Sequence, residues 1–105
     1  MDALRRQPGK AHLALAQKVT SATTTQVTAT STSGLLAAAV SNMVERIIQN
    51  TAASTAVTIT YGVTPAVAGV GIVLAAGATH RETNYVGALY CVTASGTAAV
   101  TVVTK

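Results

Sequence analysis

A hydrolase needs a nucleophile, a base and a group that orients the base, and this chain offers few candidates for any of them. Its imidazoles are His12 and His80, and its one thiol is Cys91. Cys91 with His80 is the single conceivable nucleophile–base pair. Cys91 stands between Tyr90 and Val92 in an apolar run, where a cysteine reads as a small buried hydrophobe. His80 falls in the polar stretch Thr79–Glu82, which reads as a turn. If that stretch is instead a strand, His80 and Glu82 share a face and could touch a metal, but two distant histidines, one cysteine and three acids give no recognisable ligand spacing. Gly69-Val-Gly71 opens like a nucleotide loop. The third glycine would fall at Leu74, and no Gly-Lys-Ser/Thr is present. No catalytic residue, metal or cofactor is expected.

Composition and charge place the chemistry elsewhere. With 105 residues, half of them apolar, no Phe, no Trp and three Tyr, the chain is one domain with a thin Ala/Val core. Thin cores are commonly completed by oligomerisation. A lone cysteine forms no disulfide within the chain and favours intracellular assembly. The net charge of +4 sits mostly at the front: Arg5, Arg6, Lys10 and Lys18 stand against Asp2, whereas Arg46 and Arg81 balance Glu45 and Glu82, leaving Lys105. Residues 1–18 therefore read as a basic arm, with Leu13 and Leu15 as its apolar contacts. Pro8-Gly9 interrupts the arm, which orders on an acidic neighbour or remains a disordered terminus. Residues 19–105 read as the folded domain, neutral over residues 19–104. Its sheet has too few aromatics and no surplus charge for nucleic-acid binding. No apolar run reaches the length of a membrane span, and no signal peptide is expected.

Strand signals recur along the domain at short intervals, which predicts an all-β fold, a compact antiparallel β-sandwich, jelly-roll-like, behind the extended N-terminal arm. Gln26–Thr30 alternates as a first strand. Leu35–Val40 fits a short helix, a strand or a loop equally. Met43–Asn50 reads as a strand with Val44 and Ile48 on one side. Thr55–Tyr61 is the clearest strand, with Val57, Ile59 and Tyr61 on one face. A short strand is expected over Val70–Leu74. Val86–Val92 and Ala98–Val103, either side of Ser95-Gly96, read as a closing hairpin.

From Val27 onward an ordered set of signatures carries a resemblance: Arg46-Ile-Ile-Gln-Asn50, Val57-Thr-Ile-Thr-Tyr-Gly62, Gly71-Ile-Val-Leu-Ala-Ala-Gly77, Tyr85-Val-Gly-Ala-Leu-Tyr90 and Ala94-Ser-Gly-Thr-Ala-Ala-Val100. In this order they resemble small structural proteins of tailed bacteriophages. The resemblance implies a β-sandwich of the virion, assembled in the bacterial host cytoplasm and without enzymatic activity. It would be a decoration or cement protein on the major capsid protein, or else a neck, tail or head-spike-base component, and a homo-oligomer, most often a trimer. It implies structural roles for Arg46 and Asn50 at the ends of a strand, packing roles for Tyr85 and Tyr90, and turn roles for Gly62, Gly77 and Gly96. A sugar- or cell-binding β-module is the alternative from another class; exposed aromatics would mark it. The arm lies outside the resemblance, and its docking role rests on charge and composition alone.

Overall fold

The computed structural model describes residues 22–42, 45–62 and 64–105. The arm residues Arg5, Arg6, Lys10, Leu13, Leu15 and Lys18, and Val44, lie outside the described residues. Eight strands follow one another: β1 (Thr23–Ala29), β2 (Gly34–Ala37), β3 (Arg46–Asn50), β4 (Val57–Tyr61), β5 (Ile72–Leu74), β6 (Thr79–Glu82), β7 (Leu89–Val92) and β8 (Ala98–Thr104). They form two four-stranded antiparallel sheets. Sheet I has the order β1-β8-β3-β6 and sheet II the order β2-β7-β4-β5.

The pairing has a simple rule. β1 pairs with β8, β2 with β7, β3 with β6 and β4 with β5. The chain is thus one long antiparallel ribbon, folded at the β4–β5 end and rolled so that alternate ribbon segments fall in opposite sheets. That is a jelly roll. Rolling also places β8 beside β3 and β7 beside β4, which makes β8, β3, β7 and β4 the central strands. Their inward residues, Val100, Val102, Ile48, Leu89, Cys91, Val57 and Ile59, form the core between the sheets. Every one belongs to the alternating set of its strand, so the period-2 pattern and the burial agree.

The closing hairpin expected from the sequence is not formed. β7 lies in sheet II and β8 in sheet I, facing each other across the core. The segment between them is a corner. Buried Thr93 pins it, its N–H donating to Thr30 O at 2.8 Å and its Oγ1 donating to Gly96 O at 2.7 Å. Gly96 does reverse the chain, with φ of 74°, but the reversal turns the ribbon over rather than closing it. The first strand also begins later than expected, at Leu89, with Val86–Ala88 left in a loop.

Other boundaries shift for local reasons. β1 starts at Thr23, earlier than the expected Gln26, because β8 extends to Thr104 and supplies a partner for each residue. The open choice over Leu35–Val40 resolves as the strand Gly34–Ala37, whose alternation buries Leu36 and whose register shift between Leu35 and Ala37 sets Ala37 opposite Leu89. The stretch expected as a turn around His80 is strand β6, paired with β3 from Arg46–Glu82 to Gln49–Thr79.

The loop between β4 and β5 crosses the outer face of sheet II. Ala66 N–H donates to Ser33 Oγ at 2.7 Å, and Gly69 N–H to Thr58 Oγ1 at 2.9 Å. Thr58, Thr60 and Val92, which point outward from their strands, are buried, so β7 and β4 are covered on both faces. Gly71 is where this loop re-enters the sheet. Its φ is 139°, and a Cβ there would stand 2.5 Å from Ile59 O, so the backbones meet only because the residue is glycine.

Candidate functional site

Three polar residues singled out by the sequence, Arg46, His80 and Glu82, gather with Tyr61 at one end of the sandwich. Arg46 opens β3 and is fully buried. Glu82 is its neighbour on β6 across the sheet, His80 lies two residues back on the same inward face, and Tyr61 ends β4 on the opposing sheet. The Tyr61 and Tyr85 rings pack at a tilt of 41° with centroids 4.9 Å apart. The Tyr61 oxygen lies 2.7 Å from His80 Nε2, and its hydroxyl also donates to Glu82 Oε1. Glu82 Oε2 accepts from Asn84 and Tyr85 N–H, each at 2.9 Å. The carboxylate therefore caps the turn leading out of β6 while holding the tyrosine.

Among the described residues Arg46 has no ion-pair partner. Its guanidinium donates to three backbone carbonyls, Ala38 O at 3.4 Å and Tyr85 O and Gly87 O at 2.7 Å each, and sits 5.8 Å from the Tyr85 ring centre. Its Nε is buried and meets no acceptor among the described residues. Arg46 thus ties β3 to the chain leaving β2 and to the loop before β7. At the other end of β3, Asn50 donates to Thr55 O (2.8 Å) and Leu74 O (3.0 Å) and accepts from Ala52 N–H (3.0 Å). Each end of this strand is held by one buried polar side chain.

The electrostatics of this cluster hold protons in place. The Tyr61 hydrogen bond and the two backbone N–H groups pull Glu82 down from 4.5 to about 2. Burial first, and then the Glu82 carboxylate, push Tyr61 up to about 12. A general acid or base works best with a pKa near the working pH, and both groups are driven away from it. Among the described residues no three His, Cys, Asp or Glu side chains are placed to hold a metal ion. Cys91 lies in the core with its thiol pushed up by burial, whereas His80 is bonded to Tyr61; the structure does not join them as a nucleophile and base.

One consequence is measurable. Because Glu82 is lowered in the folded state, it contributes stability that is complete above its ordinary value near 4.5 and is lost as pH falls toward about 2. Urea midpoints of the wild-type chain should fall over that window. Glu82→Gln should flatten the fall, and an unchanged acid slope would show that Glu82 is not its source.

The remaining sequence-predicted residues are dispersed. Tyr85 packs on the core edge and donates to Ala88 O at 3.1 Å. Tyr90 lies on the outer side of sheet II, between Leu35 and Thr60, half-buried and outside the core cluster. Gly62, Gly77 and Gly96 have φ of 70°, 82° and 74°; Gly77 lies in a turn, and Gly62 and Gly96 lie in bends. Tyr61 and Glu82 were not singled out as a pair by the sequence. The alternation that puts Tyr61 on the inward face of β4, and Glu82 two residues beyond His80, was the signal available.

A second feature is a surface. Leu35, Val67, Val70 and Val73 are 51%, 56%, 65% and 55% exposed, and all belong to the outside of sheet II or the loop covering it. An open groove of about 570 Å³ adjoins them, lined by Ile59, Thr60, Tyr61, Val70, Gly71 and Ile72. No charged residue occurs between Arg46 and His80. The charged residues of the domain cluster instead at the Arg46 end of sheet I, where Arg81 and Lys105 pair with Glu45 at 2.9 and 3.6 Å. Large apolar patches of this kind mark contact surfaces and ligand grooves more often than ordinary protein surface.

No protein-family model, curated protein or solved structure matches the chain.

Proposed function

We propose that this chain is a structural protein of a tailed-phage virion, a decoration or cement protein that binds and stabilises the major capsid lattice. The observation that carries the reading is the jelly-roll strand order with one sheet presenting an apolar, charge-free face. Jelly rolls build capsid and lectin domains alike, and fold alone does not choose between them. The tyrosines weigh on that choice: Tyr61, Tyr85 and Tyr90 are all half-buried, and Tyr61 and Tyr85 are engaged with each other. Sugar-binding surfaces use exposed rings, so the lectin alternative gains nothing from them.

In this reading the domain lies on the capsid with the outer face of sheet II against neighbouring protein, and the basic residues Arg5, Arg6, Lys10 and Lys18, with Leu13 and Leu15, grip an acidic stretch of the lattice. A neck, tail or spike-base position is the second form of the same proposal, and copy number per particle separates the two. The arm is tested directly by comparing the full chain with one beginning at Val19 for binding to empty capsids. Loss of binding with the fold intact is expected. Binding of the shortened chain at full occupancy would overturn the docking role of the arm.

A further inference from the structure

Each sheet of the jelly roll has two edges, and three of the four are blunted. β5 is three residues long and β2 four, the latter broken by the register shift at Leu36. β6 is four residues long and carries His80, Arg81 and Glu82. Short strands, bulges and charges are the ordinary devices that stop an edge from pairing with another chain. β1 has none of them. It is seven residues long, Thr-Thr-Thr-Gln-Val-Thr-Ala, pairs with β8 without a break, and has no partner on its other side among the described residues. No charge and no proline occurs between Lys18 and Glu45, and all of β1 except Val27 and Ala29 is exposed.

We propose that the free edge of β1 pairs antiparallel with β1 of a second copy, across a two-fold axis at Gln26, so that two sheets I become one continuous eight-stranded sheet. The register follows from the pleat. In a two-fold pairing centred on a residue, positions whose numbers add to a fixed even sum meet, so inward residues face inward residues. Centring on Gln26 uses the whole strand: Thr25 opposes Val27, Thr24 opposes Thr28 and Thr23 opposes Ala29. An axis between residues would set inward against outward side chains, and an axis at Thr25 or Val27 would leave β1 residues unpaired.

The occupant is a copy of this chain because the strand complements itself. Nothing charged meets its like across the axis, two Gln26 amides can bond one another, and an isologous contact needs only that the surface match itself. A foreign strand would find no pocket and no charge on β1 by which to be selected. This inference does not rest on the virion reading, and capsid binding plays no part in its test.

The test is a charge exchange on the outward face of β1 in the full chain. T24K/Q26K/T28K sets three like-charged pairs opposite one another across the axis, and T24E/Q26E/T28E does the same with the opposite sign. Wild-type protein should sediment as a dimer. Each variant alone, shown to be folded by circular dichroism and an intact urea transition, should dimerise about tenfold more weakly or worse. An equimolar mixture of the two should recover the dimer. A wild-type monomer, or the trimer that the family resemblance implies, would overturn the proposal. So would variants of unchanged mass, the result expected if residues before Ala22 cover the edge instead, or a mixture that fails to re-pair.

Discussion

Arg46→Ala is expected to cost about 4 kcal/mol or more of folding stability, the largest effect of any single change considered for this domain. Arg46 is fully buried, so truncation exposes no compensating surface. Three carbonyls, those of Ala38, Tyr85 and Gly87, lose a charged donor at once, and each bond to a charged group is worth roughly 1.5–3 kcal/mol. The Tyr85 ring loses its cation neighbour as well. Arg46→Lys separates charge from geometry. It keeps the cation, and one ammonium can still meet the Tyr85 and Gly87 carbonyls, which share a single guanidinium nitrogen, but it has no second nitrogen for Ala38 O, so about a third of the loss should remain. Urea transitions with an unchanged slope would give both numbers. A loss under about 1 kcal/mol for Arg46→Ala would mean that water or a rearranged loop satisfies those carbonyls.

Asn50→Ala should follow at about 3 kcal/mol, because one amide serves three backbone groups in a site with no solvent access. Asn50→Asp gives the sharper reading. It preserves shape and the acceptor for Ala52 N–H but puts one oxygen in place of the amide nitrogen that donates to both the Thr55 and Leu74 carbonyls. The aspartate is then held protonated in the fold, its pKa above the unfolded value, so its stability is greatest below about 4 and is lost progressively as pH rises from there to the raised folded value. Asn50→Asp should therefore be the less stable of the two variants at neutral pH and recover on acidification, a trend opposite to that expected from Glu82. Equal stability of Asn50→Asp and wild type at pH 7 would place Asn50 outside the fold's support.

How much of this is legible in the sequence depends on the range of the interaction. β4 is readable because Val57, Ile59 and Tyr61 alternate with threonines, and alternation is local. The neutral domain is readable because charge is counted, not folded. The corner between β7 and β8 is not, since Ser95-Gly96 between two apolar strands looks the same whether the strands pair or face each other; only the partners of β8, Val27 and Ile48, decide it. His80 reads as a turn residue because Thr-His-Arg-Glu has no apolar face, yet at the edge of sheet I such a strand is stable and its charges protect the edge. Alternation and composition do not mark Arg46 and Asn50; what they hold becomes visible only when β3 is seen against chain segments far away in sequence. Tyr90 alternates with Leu89 and Cys91 on β7, so it faces the outer side of sheet II and lies half-buried there, outside the core between the sheets.

The proposal that this jelly roll serves a virion shell is tested most directly by quantitative mass spectrometry of purified tailed-phage particles released from cells that carry its gene. A capsid decoration protein should be present at copy numbers on the scale of the major capsid protein and should be stripped from particles together with their added stability. Absence of the chain from washed particles would contradict a structural role in the virion altogether.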